Sequence, residues 1–225
     1  MFGRIPETQF DLRFHVGPIP VRVHPIFWAT AAMIVWSSFH DDPPMILMAV
    51  MAVFLSVLVH ELGHATMSRL FGWPSEIVLG FFGGYATTSR TSTGRNLLVL
   101  VAGPGAGFLL AGLSLVALFL LPRPIPDGHR MAQTLGFLFL INIAWSILNL
   151  VPVLPLDGGQ IAREILVWKN PARGQQRAML MSTVVGAGAA AYGYFSLGQP
   201  FLAILFGMFA YQNHMAWKMM RRGGW

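Results

Sequence analysis

His60-Glu61-Leu62-Gly63-His64 sets two imidazoles four residues apart, with a carboxylate directly after the first. On a helix, positions i and i+4 share a face, so both rings can reach one metal ion. Zinc takes imidazole nitrogen readily, and a hydrolytic zinc site needs three protein ligands with a fourth position left for water. A glutamate beside the first histidine is then placed to act as general base on that water. The run before the motif, from Met45 to Val59, is apolar apart from Ser56. A charged group at the centre of a membrane helix costs roughly 2.5–3.5 kcal/mol on insertion scales. One bound Zn2+ gives His60, Glu61 and His64 a reason to be there.

The elements that must carry this motif are read from composition first. Of 225 residues, 55% are hydrophobic and only 11% charged, with mean hydropathy +0.58. That is an all-α polytopic membrane protein, and its obligatory partner is the lipid bilayer. The net charge of +6 comes in short clusters between apolar runs. Membrane topology accounts for such clusters, and no nucleic-acid partner is expected. With no cysteine in the chain, neither a disulfide framework nor a thiolate metal site is possible.

Six transmembrane spans are expected, near 25–39, 45–68, 97–121, 131–152, 178–195 and 200–219, within one membrane-embedded domain over residues 1–225. Placing the N-terminus in the cytoplasm leaves only Arg123 and Arg130 outside and thirteen basic residues inside. The positive-inside bias therefore predicts a multi-pass protein with both termini cytoplasmic. A prokaryotic inner or cell membrane is the expected location.

Two segments break the helical pattern. Within residues 1–24, Phe10 to Val16 alternates, Gly17-Pro18-Ile19-Pro20 is turn chemistry, and Val21 to His24 alternates again, which predicts a β-hairpin. Residues 76–89 are too short to span and too apolar for an ordinary loop. Backbone at membrane depth must be shielded by protein or line a cavity, so this stretch is expected to form a re-entrant hairpin paired with the first. The two make a small membrane-associated β-sheet.

The third ligand follows from topology. The fourth span ends at Asn149-Leu150-Val151-Pro152-Val153-Leu154-Pro155-Leu156-Asp157-Gly158-Gly159, where two prolines three apart unwind the helix. Asp157 is then offered on a flexible turn. Spans two and four run in the same direction, so the ends bearing His64 and Asp157 meet at one membrane face, the cytoplasmic one. His60, His64 and Asp157 make a two-histidine, one-carboxylate set with Glu61 as base. Asn149 is positioned to hydrogen-bond the substrate backbone or a developing oxyanion. Ala102-Gly103-Pro104-Gly105-Ala106-Gly107 in the third span reads as ordinary small-residue packing. His214, with Gln212 and Asn213, reads as a polar contact between helices.

These motifs together resemble the site-2 protease family of intramembrane zinc metalloproteases. His60 to His64 and the Asn149–Gly159 stretch carry the resemblance, supported by Phe82-Gly83-Gly84-Tyr85 and Ala102-Gly103-Pro104. It implies zinc ligands His60, His64 and Asp157, catalytic Glu61, and cleavage of a peptide bond in a transmembrane helix of another protein. The implied substrate is a single-span protein such as an anti-sigma factor or membrane-tethered regulator, cut in regulated intramembrane proteolysis. Gly83, Gly84 and Tyr85 are the implied substrate-binding segment, receiving the substrate as an added strand. Gly107 stands where the family often has asparagine. The short loop after the third span and the end soon after the sixth imply a minimal form lacking PDZ and CBS domains. Two other functions use the same residues: a divalent-metal transporter, and a catalytically silent helix-binding homologue. The absence of a visible internal repeat weighs against the first, and the complete His-Glu-His and Asp set weighs against the second.

Overall fold

The computed structural model describes residues 6–80, 83–86, 92–122, 124 and 129–222. Seven helices and four strands lie among them. The chain divides into two compact units, one of residues 1–90 and 101–146, the other of residues 91–100 and 147–225.

In the first unit the two alternating stretches become β1 (Leu12–Val16) and β2 (Ile19–Val23), an antiparallel hairpin. Gly17 turns it at φ +56°, a conformation that only glycine adopts at no cost. β3 (Ile77–Gly80) adds to β2 in parallel and β4 (Gly83–Ala86) adds to β3 antiparallel, giving the order β1-β2-β3-β4. The two expected hairpins therefore share one sheet. Phe81, Phe82 and residues 87–89 of the second hairpin lie outside the described residues, and β4 is described by its backbone only.

His24 joins sheet to helix. Its N–H donates to the Leu79 carbonyl at 2.9 Å, extending the β2–β3 ladder, while its Nδ1 accepts from the Ile26 N–H and caps α1 (Pro25–Phe39). α2 (Pro43–Leu70) opens on an Asp42 cap with prolines in its first turn, where their missing N–H groups cost nothing. At about 1.5 Å per residue its 28 residues reach about 42 Å, longer than a hydrocarbon core. Phe27, Trp28 and Phe54 pack edge-on and stacked between α1 and α2, and Phe14 carries the same cluster to the sheet. α3 (Thr93–Phe119) and α4 (Arg130–Asn149) follow.

The second unit contains α5 (Asp157–Lys169), α6 (Gly174–Phe195) and α7 (Pro200–Arg222). α5 corrects one expectation: Asp157-Gly158-Gly159 is the first turn of a helix, and no flexible turn. The physical reason lies in the segment just before it. A Cβ on Gly158 would strike the Leu150 carbonyl, and one on Gly159 the backbone of Val153 and Leu154. The glycines allow helix to lie on loop backbone.

Among the described residues four helices, α2, α3, α4 and α6, are long and apolar enough to cross a membrane, which makes this a multi-pass membrane protein. α1 is apolar but shorter, over Pro25–Trp36.

A carboxylate holds the chain entering β1. Asp11 accepts from the Thr8 hydroxyl at 2.6 Å, the Thr8 N–H at 3.2 Å and Arg22 Nη1 at 2.9 Å. The Thr8 hydroxyl first, then Arg22, hold this carboxyl well below its ordinary value of 3.8, against the opposing effect of burial. A depressed folded-state pKa stabilises fully above the unfolded value and is lost as pH falls through the folded one. Thermal unfolding in detergent should therefore show the native chain's advantage over Asp11→Asn beginning to shrink below about pH 5 and still shrinking below about pH 3. Equal pH dependence of the two proteins would remove Asp11 from the account.

Candidate metal centre

The site begins on α2, whose helical period carries His60 and His64 to one side. Their Nε2 atoms stand 3.2 Å apart and their rings meet edge to face, with centroids 4.8 Å apart at 84°. Two nitrogens bound tetrahedrally to one zinc at about 2.0–2.1 Å would be separated by about 3.3 Å. The pair already has the bite of a two-histidine zinc site. His60, Glu61 and His64 are 3%, 5% and 7% exposed, so all three are withdrawn from solvent and lipid alike.

Three contacts fix α2 around the motif. Gly63 faces α3, where a Cβ would overlap the Ala102 carbonyl and press on Ala106. Gly103 faces His64, and a Cβ there would overlap the imidazole at Nε2 and Cε1. One turn before His60, the Ser56 hydroxyl donates to the Ala52 carbonyl and accepts from Asn142 Nδ2 of α4 at 2.9 Å. Asn142 is 1% exposed, and its amide also donates to the Leu138 carbonyl at 2.7 Å. Such interhelical bonds are worth about 0.6 kcal/mol on average in a membrane, enough to set register without dominating stability.

Beyond the motif, Arg69 ties the end of α2 to the sheet. Its guanidinium donates to the Pro18 carbonyl in the β1–β2 turn at 2.9 Å and to the Ser75 hydroxyl and carbonyl at 3.1 and 3.2 Å. Ser75 in turn donates to the Ala65 carbonyl, one residue past His64. The sheet is thereby held at the end of the helix that carries the histidines.

Asp157 is 7% exposed at the first position of α5, and Asn149, the last residue of α4, is 9% exposed. His60, His64 and Asp157 each offer one atom of a kind that binds metal, two imidazole nitrogens from α2 and a carboxylate oxygen from α5, a donor set that could hold one ion. Two nitrogens and one carboxylate oxygen suit zinc, with a coordination position to spare. Gly83, Gly84 and Tyr85 all fall in β4, the last strand of the sheet. His214 has gone elsewhere, tilted against Trp217 on its own helix at 5.7 Å, with Arg221 over the same indole.

The family model for peptidase family M50 matches residues 48–126 and 124–190, a stretch holding the whole metal group. The chain belongs to peptidase family M50. Among its relatives are a candidate zinc metalloprotease of Synechocystis sp. and a zinc metalloprotease of Methanocaldococcus jannaschii. The first is 34% identical over 71% of this chain and 40% of that protein. The second is 29% identical over 68% of this chain and 44% of that protein. The chain thus spans less than half the length of these curated relatives. Its fold is similar to that of the site-2 protease from M. jannaschii, with TM-score 0.66 at 23% identity, covering 92% of this chain and 94% of that one.

Within this M50 chain, the residues a sequence reading misses are those with no chemistry of their own. Gly103 reads as generic helix packing, yet it faces the second histidine. Its Gly-Pro-Gly neighbourhood is the signal available in the sequence, and it does not say which glycine meets what. Gly107, where the family often has asparagine, lies against Ser146: a Cβ there would overlap the Ser146 hydroxyl. An asparagine at that position would have to displace the serine.

Proposed function

We propose that this chain is an intramembrane zinc metalloendopeptidase that cleaves a peptide bond within or near the transmembrane helix of a membrane-protein substrate, close to the cytoplasmic face. The observation that carries the reading is the His60–His64 pair, two imidazole nitrogens at zinc-ligand separation inside a span-length apolar helix, with a buried carboxylate adjacent. His60, His64 and Asp157 are the ligands in this reading. Bound zinc supplies a water acidified toward neutrality and polarises the scissile carbonyl. Glu61 accepts the proton of the attacking water and returns it to the leaving amide nitrogen. Asn149 donates to the carbonyl oxygen under attack, where negative charge develops.

A peptide bond in a helix is shielded by its own hydrogen bonds, so the substrate must unwind first. The β4 strand with Gly83, Gly84 and Tyr85 ends the sheet, and adding the substrate there as a further strand replaces the helical hydrogen bonds it gives up. With α1 and α7 also in the bilayer, the chain has six spans and both termini in the cytoplasm. A single-span protein, such as an anti-sigma factor or another membrane-tethered regulator, is the proposed substrate in regulated intramembrane proteolysis.

The test is co-expression with single-span membrane proteins, mapping fragments by mass spectrometry. Wild type should produce a cut inside the span that a zinc chelator stops and added zinc restores. Asp157→Ala should lose both cleavage and stoichiometric zinc. Chelator-resistant cleavage, or full zinc content in Asp157→Ala, would overturn the assignment.

A further inference from the structure

We propose that Ser182 on α6 and Asn213 on α7 are positioning residues for Asp157. They hold from two sides the peptide segment on which its helix is seated, and so set how tightly the site keeps its metal. This rests on the reading of Asp157 as a ligand.

Between α4 and α5 the chain has no ladder to satisfy its backbone. Leu154 meets that need through side chains of the two helices that follow. Its N–H donates to the Ser182 hydroxyl at 3.1 Å, and its carbonyl accepts from Asn213 Nδ2 at 2.7 Å. The Asn213 amide also donates to the Phe209 carbonyl of its own helix at 2.8 Å. Both neighbours of that amide group are carbonyls, so its orientation is fixed with the NH2 toward them. Ser182 is 0% and Asn213 7% exposed. Polar groups in a membrane helix are retained where they have a partner, and here the partner is one residue of an irregular segment.

The segment passes this constraint on by steric contact. Gly159 lies so close that a Cβ would overlap the Leu154 nitrogen, and Gly158 is packed equally tightly on the Leu150 carbonyl. Asp157 is the residue before this pair. The Val153 side chain, 0% exposed, is buried against Leu205, Phe206 and Phe209 of α7, so apolar packing and hydrogen bonding secure the same segment. α6 and α7 act together, because Gly186 lets Ala210 approach to 3.2 Å of its Cβ position. A displacement at Leu154 cannot be absorbed in a gap before it reaches the carboxylate. The last two helices therefore hold the ligand turn.

The experiment titrates Co2+ into the purified full chain in detergent, reading affinity and the visible absorption of the bound ion, with thermal unfolding of the metal-free protein alongside. Asn213→Asp puts an oxygen against two carbonyls, and Ser182→Ala removes the hydroxyl. Each is expected to weaken Co2+ binding about ten- to a hundred-fold and to alter the absorption spectrum, as loss of a partner outside the ligand set does. Thr183→Val, whose hydroxyl bonds Met179 within α6, is expected to bind as wild type. Asp157→Ala separates the two readings. If it binds Co2+ as tightly as wild type, the ligand assignment fails and the positioning role with it. If it is weakened while Ser182→Ala and Asn213→Asp match wild type in affinity and spectrum, only the positioning role fails. Equal loss in Thr183→Val would reduce the effect to general helix packing and overturn it as well. Should Asn213→Asp not fold, Ser182→Ala decides the question.

Discussion

Glu61→Gln is expected to lower substrate cleavage by about 10²- to 10⁴-fold, the range for removing a general acid–base group, while the purified protein keeps its zinc. Glutamine has nearly the shape of glutamate, so the buried position stays filled, and His60, His64 and Asp157 are untouched. What disappears, in the proposed mechanism, is the group that takes a proton from water and returns it to the amide nitrogen. Glu61 is 5% exposed and cannot be replaced in that role by bulk solvent. Metal content by mass spectrometry and single-turnover cleavage in proteoliposomes check the two halves separately. A Glu61→Gln protein cutting at the wild-type rate would remove Glu61 from the mechanism. Loss of zinc together with activity would instead make it part of the binding set.

The second large effect comes from a residue with no side chain. Gly103→Ala adds one methyl group where the His64 ring already lies, overlapping its Nε2 and Cε1 positions. α2 has little room to retreat. Gly63 sits against the α3 backbone, and Arg69 and Ser75 anchor the helix just past the motif. The ring must therefore swing, taking Nε2 from its 3.2 Å separation from His60. Zinc affinity is expected to fall at least about a hundred-fold, beyond the range for losing an outer partner because a proposed ligand itself is displaced. Overpacking adds a stability loss of about 1–3 kcal/mol. Gly105→Ala is the matched control: two positions along, a Cβ meets open space, and helix propensity should favour the protein by about 0.5–1 kcal/mol. Zinc binding in Gly103→Ala equal to that in Gly105→Ala would show that the site tolerates the crowding.

The paired substitutions mark a boundary between what kinds of residue can be read in advance. His60, Glu61 and His64 announce themselves because their chemistry is expensive in an apolar run, and because helix geometry alone brings i and i+4 together. The β1–β2 hairpin was similarly legible, since a period of two and a Gly-Pro turn are local signals. So was the break after Asn149, which needs only the covalent geometry of proline. Asp157 was legible as a residue but not in its setting. A carboxylate followed by two glycines reads as a flexible turn when only local propensity is weighed. The structure makes it the first turn of α5, because the glycines allow contact with Leu150, Val153 and Leu154. Propensity was overruled there by tertiary packing.

By itself, then, the sequence determined the chemistry offered and the helix that carries it: two imidazoles on one face, a carboxylate beside them, and apolar runs that cannot remain in water. Tertiary structure alone decided which residues keep that chemistry in place. Gly103 clears the volume of His64, Asn142 holds Ser56 one turn below His60, and Arg69 fixes the sheet to the end of the same helix. Periodicity and burial cost act along the chain and can be read there. Steric exclusion and hydrogen bonds between distant residues depend on which backbone lies opposite, and that is settled only when the helices pack.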